Sequence, residues 1–220
     1  MTAREIADLE LRPLTLTQTG RDAFHLMSDL RVRHLPVVDE GRLAGMLSED
    51  DIFGNRLYDT LETLDFSQHA PIVVRANDHV FEAFRLMAQH QLSAVPVLDD
   101  EDRYVGLITE SDILRCIAEL GAFSEQGALV VLRMPKRDYS LAQLARIVEE
   151  ENAKILSVAV GSLSDPEYMS LTLKINRNDV SRIIASFERF GYEVLESYSA
   201  LEFDEPMRER YQSFMRYLEV

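Results

Sequence analysis

Two stretches of this sequence set a hydroxyl three residues ahead of a carboxylate, directly behind a glycine and two apolar residues. They are Gly45-Met46-Leu47-Ser48-Glu49-Asp50-Asp51 and Gly106-Leu107-Ile108-Thr109-Glu110-Ser111-Asp112. A hydroxyl and a carboxylate held together at a helix N-terminus can grip a sugar diol and an adjacent phosphate. The same spacing also makes Ser48 and Thr109 helix caps, with the acid three residues on closing a capping box in which Asp replaces the usual Glu. The two roles are compatible. Other chemistry has no visible carrier. His25, His69, His79 and His90 are scattered, without Cys partners or a metal-binding spacing, and neither a P-loop nor a nucleophile elbow occurs. The lone Cys116 sits in an apolar helical stretch and reads as a buried, inert thiol.

The elements that would position these groups are written twice. Ala23, Phe24, Leu26, Met27, Pro36 and Val37 recur as Ala83, Phe84, Leu86, Met87, Pro96 and Val97, and Gly45, Asp51 and Ile52 recur as Gly106, Asp112 and Ile113. Each copy reads strand, helix, strand, strand, helix. Thr19 and Asp78 are the expected caps of the first helices. The strands Leu35 to Val38 and Val95 to Leu98 end at acidic turns, and third strands run over 43–47 and 104–108. A proline in each Pro-Val strand removes a ladder N–H, which places it at an edge or a mouth. Residues 58–66 read as a partly helical connector.

Composition bounds the function. A chain of 220 residues with 46% hydrophobic side chains can bury a sizeable core, in two domains. With 38 acidic against 23 basic residues, the net charge of −15 opposes nucleic acid as a partner, although one cleft can still hold a small phosphate compound. No leader and no apolar run long enough for a membrane span is seen, so neither a secretory signal nor a membrane partner is expected, and the location expected is cytoplasmic.

The paired Gly-x-x-Ser/Thr-x-x-Asp endings and the duplicated Pro-Val strands resemble a tandem pair of cystathionine beta-synthase (CBS) domains, the Bateman module. The resemblance covers about residues 1 to 120. It implies a regulatory, non-catalytic unit with an adenosine-containing ligand between the copies: ATP, ADP, AMP or S-adenosylmethionine. It maps ribose recognition onto Asp51 and Asp112, and ribose or phosphate neighbours onto Ser48, Asp50, Thr109 and Ser111. It maps base contacts onto Arg33, His34, Ser93 and Ala94. Asp50 beside Asp51 repels a polyphosphate where Ser111 beside Asp112 does not, so the Asp112 cleft, faced by Arg33 and His34 in the family's cross-wise arrangement, is the preferred nucleotide site.

From Gly127 the rhythm changes to βαββαβ, with Ser140 capping the first helix and Asn178 or Asp179 the second, which defines a ferredoxin-like α+β sandwich. That order resembles an ACT domain, and the CBS-CBS-ACT layout is similar to that of bacterial acetoin utilisation regulators. The segment Pro135 to Ser140 lacks the glycine of amino-acid-binding ACT domains, which points to a structural or dimerising role. The expected fold is therefore α+β, with repeats over 1–60 and 61–122, the ACT-like domain over 127–200 and a helical tail over 201–220. The expected assembly is a homodimer, meeting through Ile52, Phe53, Ile113, Leu114 and Ile117, that signals to a regulated protein.

Overall fold

The computed structural model of the chain describes residues 1–52, 57–66, 70–120, 122 and 125–199. Phe53, His69 and the expected helix over 206–218 lie outside the described residues. The chain divides into two compact units between Cys116 and Ile117.

The first unit holds both repeats up to Cys116, within the last helix of repeat 2. Repeat 1 comprises α1 (Ala3–Ile6), α2 (Gly20–Leu30), β1 (His34–Asp39), β2 (Arg42–Ser48) and α3 (Glu49–Ile52). Repeat 2 comprises β3 (Val74–Arg75), α4 (Val80–His90), β4 (Ala94–Leu98), β5 (Tyr104–Thr109) and α5 (Glu110–Leu120). Helix α2 starts where Thr19 and Asp22 close a capping box, buries Ala23 and Met27, and stops at Arg31 in the left-handed region. Helix α4 departs from expectation. Its N-cap is His79, whose Nδ1 accepts the Phe81 N–H, while the Asp78 carboxylate reaches back to the Arg75 N–H and closes the turn after β3. One position further from the helix, Asp78 finds a nearer orphan donor than the first helical turn offers.

The leading strand of each repeat is shorter than its pattern predicts. In repeat 2 it is the two-residue β3, and in repeat 1 it is a single parallel bridge between Leu14 and Val37. The next bond backwards would run from the N–H of residue 36 to the Arg12 carbonyl, and Pro36 has no N–H to give, while the turn from Thr15 to Gln18 ends the bridge forwards. Pro96 contradicts the edge expectation, since β4 is the central strand of the sheet β3-β4-β5. Its missing donor is still harmless. The opposing Leu107 exchanges both of its backbone hydrogen bonds with Asp8 instead, at 2.9 and 3.2 Å, and β3 covers only Val97 and Leu98 on the other side.

The segments leading into the repeats are exchanged. Residues 1–8 dock on repeat 2: Ala3 N–H bonds the Asp78 carbonyl, Arg4 N–H the Ala76 carbonyl, and the Ala3 side chain is buried with Val74, Ala83, Val95, Val97 and Ile108. Residues 57–66 dock on repeat 1, where Leu61 is buried beside Leu14, Met27, Leu35 and Leu47, with Leu64 and Phe66 packed against them. The same cluster takes in Ala94 and Leu107 from repeat 2, so the two repeats share a core.

The helix faces expected to meet a twin divide. Ile52 is 4% exposed and belongs to the repeat 1 core, and Ile113 packs on the repeat 2 core. Their places in the first turn after Ser48 and Thr109 turn them inward. Leu114 and Ile117 face outward, at 70% and 39% exposure, with Leu120 on the same helix exposed too.

The second unit is a ferredoxin-like sandwich of β6 (Ala128–Pro135), α6 (Leu141–Glu150), β7 (Ile155–Ser162), β8 (Tyr168–Ile175), α7 (Ser181–Arg189) and β9 (Glu193–Tyr198). Its sheet is antiparallel in the order β7-β8-β6-β9. Alternate residues of β6 and β8, among them Val130, Leu132, Leu171 and Leu173, face Leu144, Ile147, Ile183 and Phe187 of the helices. Ser140 Oγ accepts the Gln143 N–H at the head of α6. The N-cap of α7 is Val180 rather than Asn178 or Asp179, and Asp179, one position before it, accepts both the N–H and the hydroxyl of Ser181. Between β6 and α6, residues Lys136–Asp138 make one turn of 3-10 helix. No described helix is long and apolar enough to cross a membrane.

Candidate functional site

Helix α3 follows β2 without a loop, and this places Ser48 and Asp51 side by side. The Ser48 N–H and hydroxyl both donate to Asp51 Oδ2, at 2.8 and 2.6 Å, and the Asp51 N–H returns a bond to Ser48 Oγ at 3.3 Å. Thr109 and Asp112 repeat this at the head of α5, at 2.9, 2.7 and 3.3 Å. So do Thr19 and Asp22, at 2.8, 2.7 and 3.3 Å. The capping reading therefore accounts for the bonds within all three boxes, and a binding role depends on the remaining carboxylate oxygen. At Asp112 that oxygen, Oδ1, receives the Arg115 guanidinium. At Asp51 no donor among the described residues occupies Oδ1. Asp50 and Ser111, the residues before the two acids, are exposed.

Asp51 borders a cavity of about 560 Å³, within the range of about 300 to 1,000 Å³ typical of small-molecule sites. Its apolar wall comes from Met46 and Leu47 of repeat 1, Leu64 and Phe66 of the connector, and Pro71, Ile72 and Leu92 of repeat 2. Asp65 and Thr63 add polar groups. The cavity thus lies between the repeats, with a carboxylate at one side and an apolar slot at the other. The sequence argument preferred the Asp112 cleft; this cavity, one of those among the described residues, opens on Asp51.

The motif glycines set this geometry. A Cβ on Gly45 would stand 2.5 Å from the Phe66 ring, and one on Gly106 2.6 Å from the Asp8 carbonyl oxygen. Each glycine lets an exchanged segment lie flat against its strand. Phe66, Pro71, Ile72 and Leu92 were missed as site residues by the sequence argument. The signal was available in the two glycines, which mark close approach without naming the approaching group.

The residues assigned to base recognition fall into two environments. Ala94 is fully buried in the shared core. Ser93, 2% exposed, binds across to repeat 1: its Oγ accepts the Arg33 N–H at 2.7 Å and lies 3.0 Å from His34 Nδ1, and its N–H donates to the same Nδ1 at 3.2 Å. A backbone N–H can only donate, so Nδ1 is the acceptor and the ring proton of the neutral imidazole is on Nε2. Around this contact the backbone is pseudo-symmetric, with the Glu49 N–H on the Arg33 carbonyl at 2.9 Å and the Glu110 N–H on the Ser93 carbonyl at 3.1 Å. Burial holds His34 below its ordinary pKa and the Arg33 charge adds to that, while Asp51, Glu110 and Asp50 act in the opposite direction. Arg33 itself is exposed.

Comparison with known proteins agrees with the duplicated architecture. The sequence profile of the CBS domain matches residues 3–57 and again 64–119, together more than half of the chain. Hypoxic response protein 1 of Mycobacterium tuberculosis is 32% identical over 124 residues, covering 54% of this chain and 86% of that protein. An uncharacterised protein of Methanocaldococcus jannaschii is 28% identical over 97 residues, which are 44% of this chain but only 37% of that one. Among solved structures, a candidate acetoin utilization protein from Vibrio cholerae is 26% identical at a TM-score of 0.45, covering 55% of this chain and 92% of that chain. The chain belongs to the CBS-domain family, of which it carries two copies in tandem.

Proposed function

We propose that the chain is a non-catalytic regulatory protein that binds an adenosine-containing compound between its two CBS repeats and passes occupancy to its second unit and to a partner protein. The observation that carries this reading is the Asp51 cavity. A carboxylate oxygen that no donor among the described residues occupies suits the two ribose hydroxyls, and the slot formed by Leu64, Phe66, Pro71, Ile72 and Leu92 suits the flat faces of a purine. Adjacent Asp50 and Asp51 favour a compound with little negative charge at this cleft, AMP or S-adenosylmethionine before ATP or ADP. The Asp112 cleft, with Thr109, Ser111, Arg33 and His34, is the second candidate site. Ligand acts by population shift, favouring the arrangement of the repeats that closes best around it.

An adenosine compound at ten times its Kd should stabilise the repeats by about 1.4 kcal/mol and raise the melting temperature by about 3 to 6 °C. Free amino acids should leave it unchanged. Differential scanning fluorimetry with millimolar AMP, ADP, ATP, S-adenosylmethionine and the amino acids decides the matter. No response to any adenosine compound would leave the repeats a dimerisation scaffold, and a response to amino acids alone would move the sensor to the second unit.

The second unit is, in this reading, an ACT-like domain used for assembly. Its β6–α6 connection carries Lys136–Asp138 in a 3-10 turn and no glycine, so a side chain stands at every position where a ligand would have to approach the backbone. Assembly as a homodimer is favoured by Leu114, Ile117 and Leu120, exposed on one helix of an acidic protein. Sedimentation at micromolar concentration should show twice the chain mass of 25.2 kDa. Leu114→Glu, at a position that the fold leaves exposed, should shift the population to 25.2 kDa without unfolding it. A wild-type monomer rejects the dimer.

A further inference from the structure

The contact between Ser93 and repeat 1 combines features that a simple packing contact does not need. A buried serine offers both its hydroxyl and its N–H to one imidazole nitrogen, and takes the Arg33 N–H in return. All three bonds run between the repeats, at the points where β1 and β4 begin. The acceptor at their centre is a side chain that can itself take a proton at mild acidity.

We propose that His34 and Ser93 form a proton-operated joint between the two repeats, held closed by neutral His34 and released when Nδ1 is protonated. Protonated Nδ1 carries a hydrogen aimed at the Ser93 N–H, so that bond becomes a repulsion between two donors. The Ser93 hydroxyl must turn its proton away to receive the new one, and only the Arg33 N–H bond survives unchanged. Among the described residues, the charged groups acting on His34 are Arg33 just before its strand, Asp50 and Asp51 from α3, and Glu110 from α5. The three acids favour the imidazolium, while burial, the largest influence, and Arg33 oppose it.

The direction of the pH effect follows from the lowered pKa. As pH falls, the unfolded chain binds the proton before the folded one does. The joint's contribution is therefore complete above the ordinary imidazole value of about 6.5, is lost as pH falls below it, and stops changing once the folded-state value is passed. This holds with no ligand present, so the test is made on the free full-length chain and is separate from the nucleotide reading.

Histidine C–H signals followed by NMR, with His34 assigned by its disappearance in His34→Asn, should show His34 titrating below about 6.5. Ser93→Ala, which removes one donor to Nδ1, should move that titration upward. Asn at 34 places an Oδ1 acceptor where Nδ1 stands but cannot titrate. Between about pH 7.5 and pH 5.5 the wild type should therefore lose at least about 2 °C more of melting temperature than His34→Asn does. A His34 that titrates at or above about 6.5 in the wild type overturns the proposal. So does a His34→Asn chain that loses as many degrees as the wild type.

Discussion

Asp51→Asn is expected to weaken binding of an adenosine compound by roughly 10- to 150-fold, about 1 to 3 kcal/mol, while leaving the fold intact. The asparagine carbonyl can keep both Ser48 donors that now end on Oδ2. What changes is the other edge: an acceptor becomes an NH2 donor, and a ribose diol that offers two hydroxyl protons meets the wrong partner. Capping and binding are thereby separated within one side chain. Asp22→Asn makes the same change in a box whose described cavity is lined by residues 12–41 of repeat 1 alone, and it should leave affinity alone. At Asp112 the substitution also removes the carboxylate partner of Arg115, an exposed side chain, so the stability change there stays below about 1 kcal/mol. Calorimetric titration of the three variants checks this. Unchanged affinity in Asp51→Asn would reduce the motif to a helix cap.

Leu107→Ala should destabilise the first unit by about 2 to 5 kcal/mol, lowering its melting temperature by on the order of 10 °C. Leu107 lies on β5 of repeat 2, yet its fully buried side chain completes the repeat 1 core beside Leu14, Leu35 and Leu47. The cavity left by truncation sits at the seam, where Asp8 pins the Leu107 backbone from the other side. Both repeats should therefore lose stability together, in one transition. Hydrogen exchange that speeds up in repeat 2 while α2 and β1 keep their protection would show that the shared core is not shared energetically.

Much of this architecture is legible in the residues. Thr19, Ser48, Thr109 and Ser140 announce helix starts that the structure uses, and alternation along Ala128 to Met134 gives β6 its buried face. Local signals carry these elements because their causes are local. Asp78 shows the limit: two positions compete for nearby donors, and the identity of the winner, His79, depends on how the preceding turn folds. Non-local features were not legible. Repeat pattern alone could not show that Ile52 turns inward, that the connector and the leading residues trade places, or that Ser93 meets His34 across the seam. The carboxylates of the candidate site were found because a motif fixes them within four residues. Its apolar wall was not, because Phe66, Pro71, Ile72 and Leu92 converge only in space.

The exchange of leading segments bears on how the chain is born. A ribosome adding about 5 to 20 residues per second releases residues 1–8 many seconds before the β5 strand that Asp8 will pair with. Until then Ala3 and Ile6 have no apolar surface of their own to cover them, and repeat 1 lacks Leu61, Ala94 and Leu107 from its core. Neither half of the nascent chain is a finished folding unit. Contacts of such long sequence separation fold slowly, so the repeat pair is expected to condense only after its last strand has left the exit tunnel, and a chain arrested inside repeat 2 is expected to expose the apolar residues that Leu61, Ala94 and Leu107 would cover.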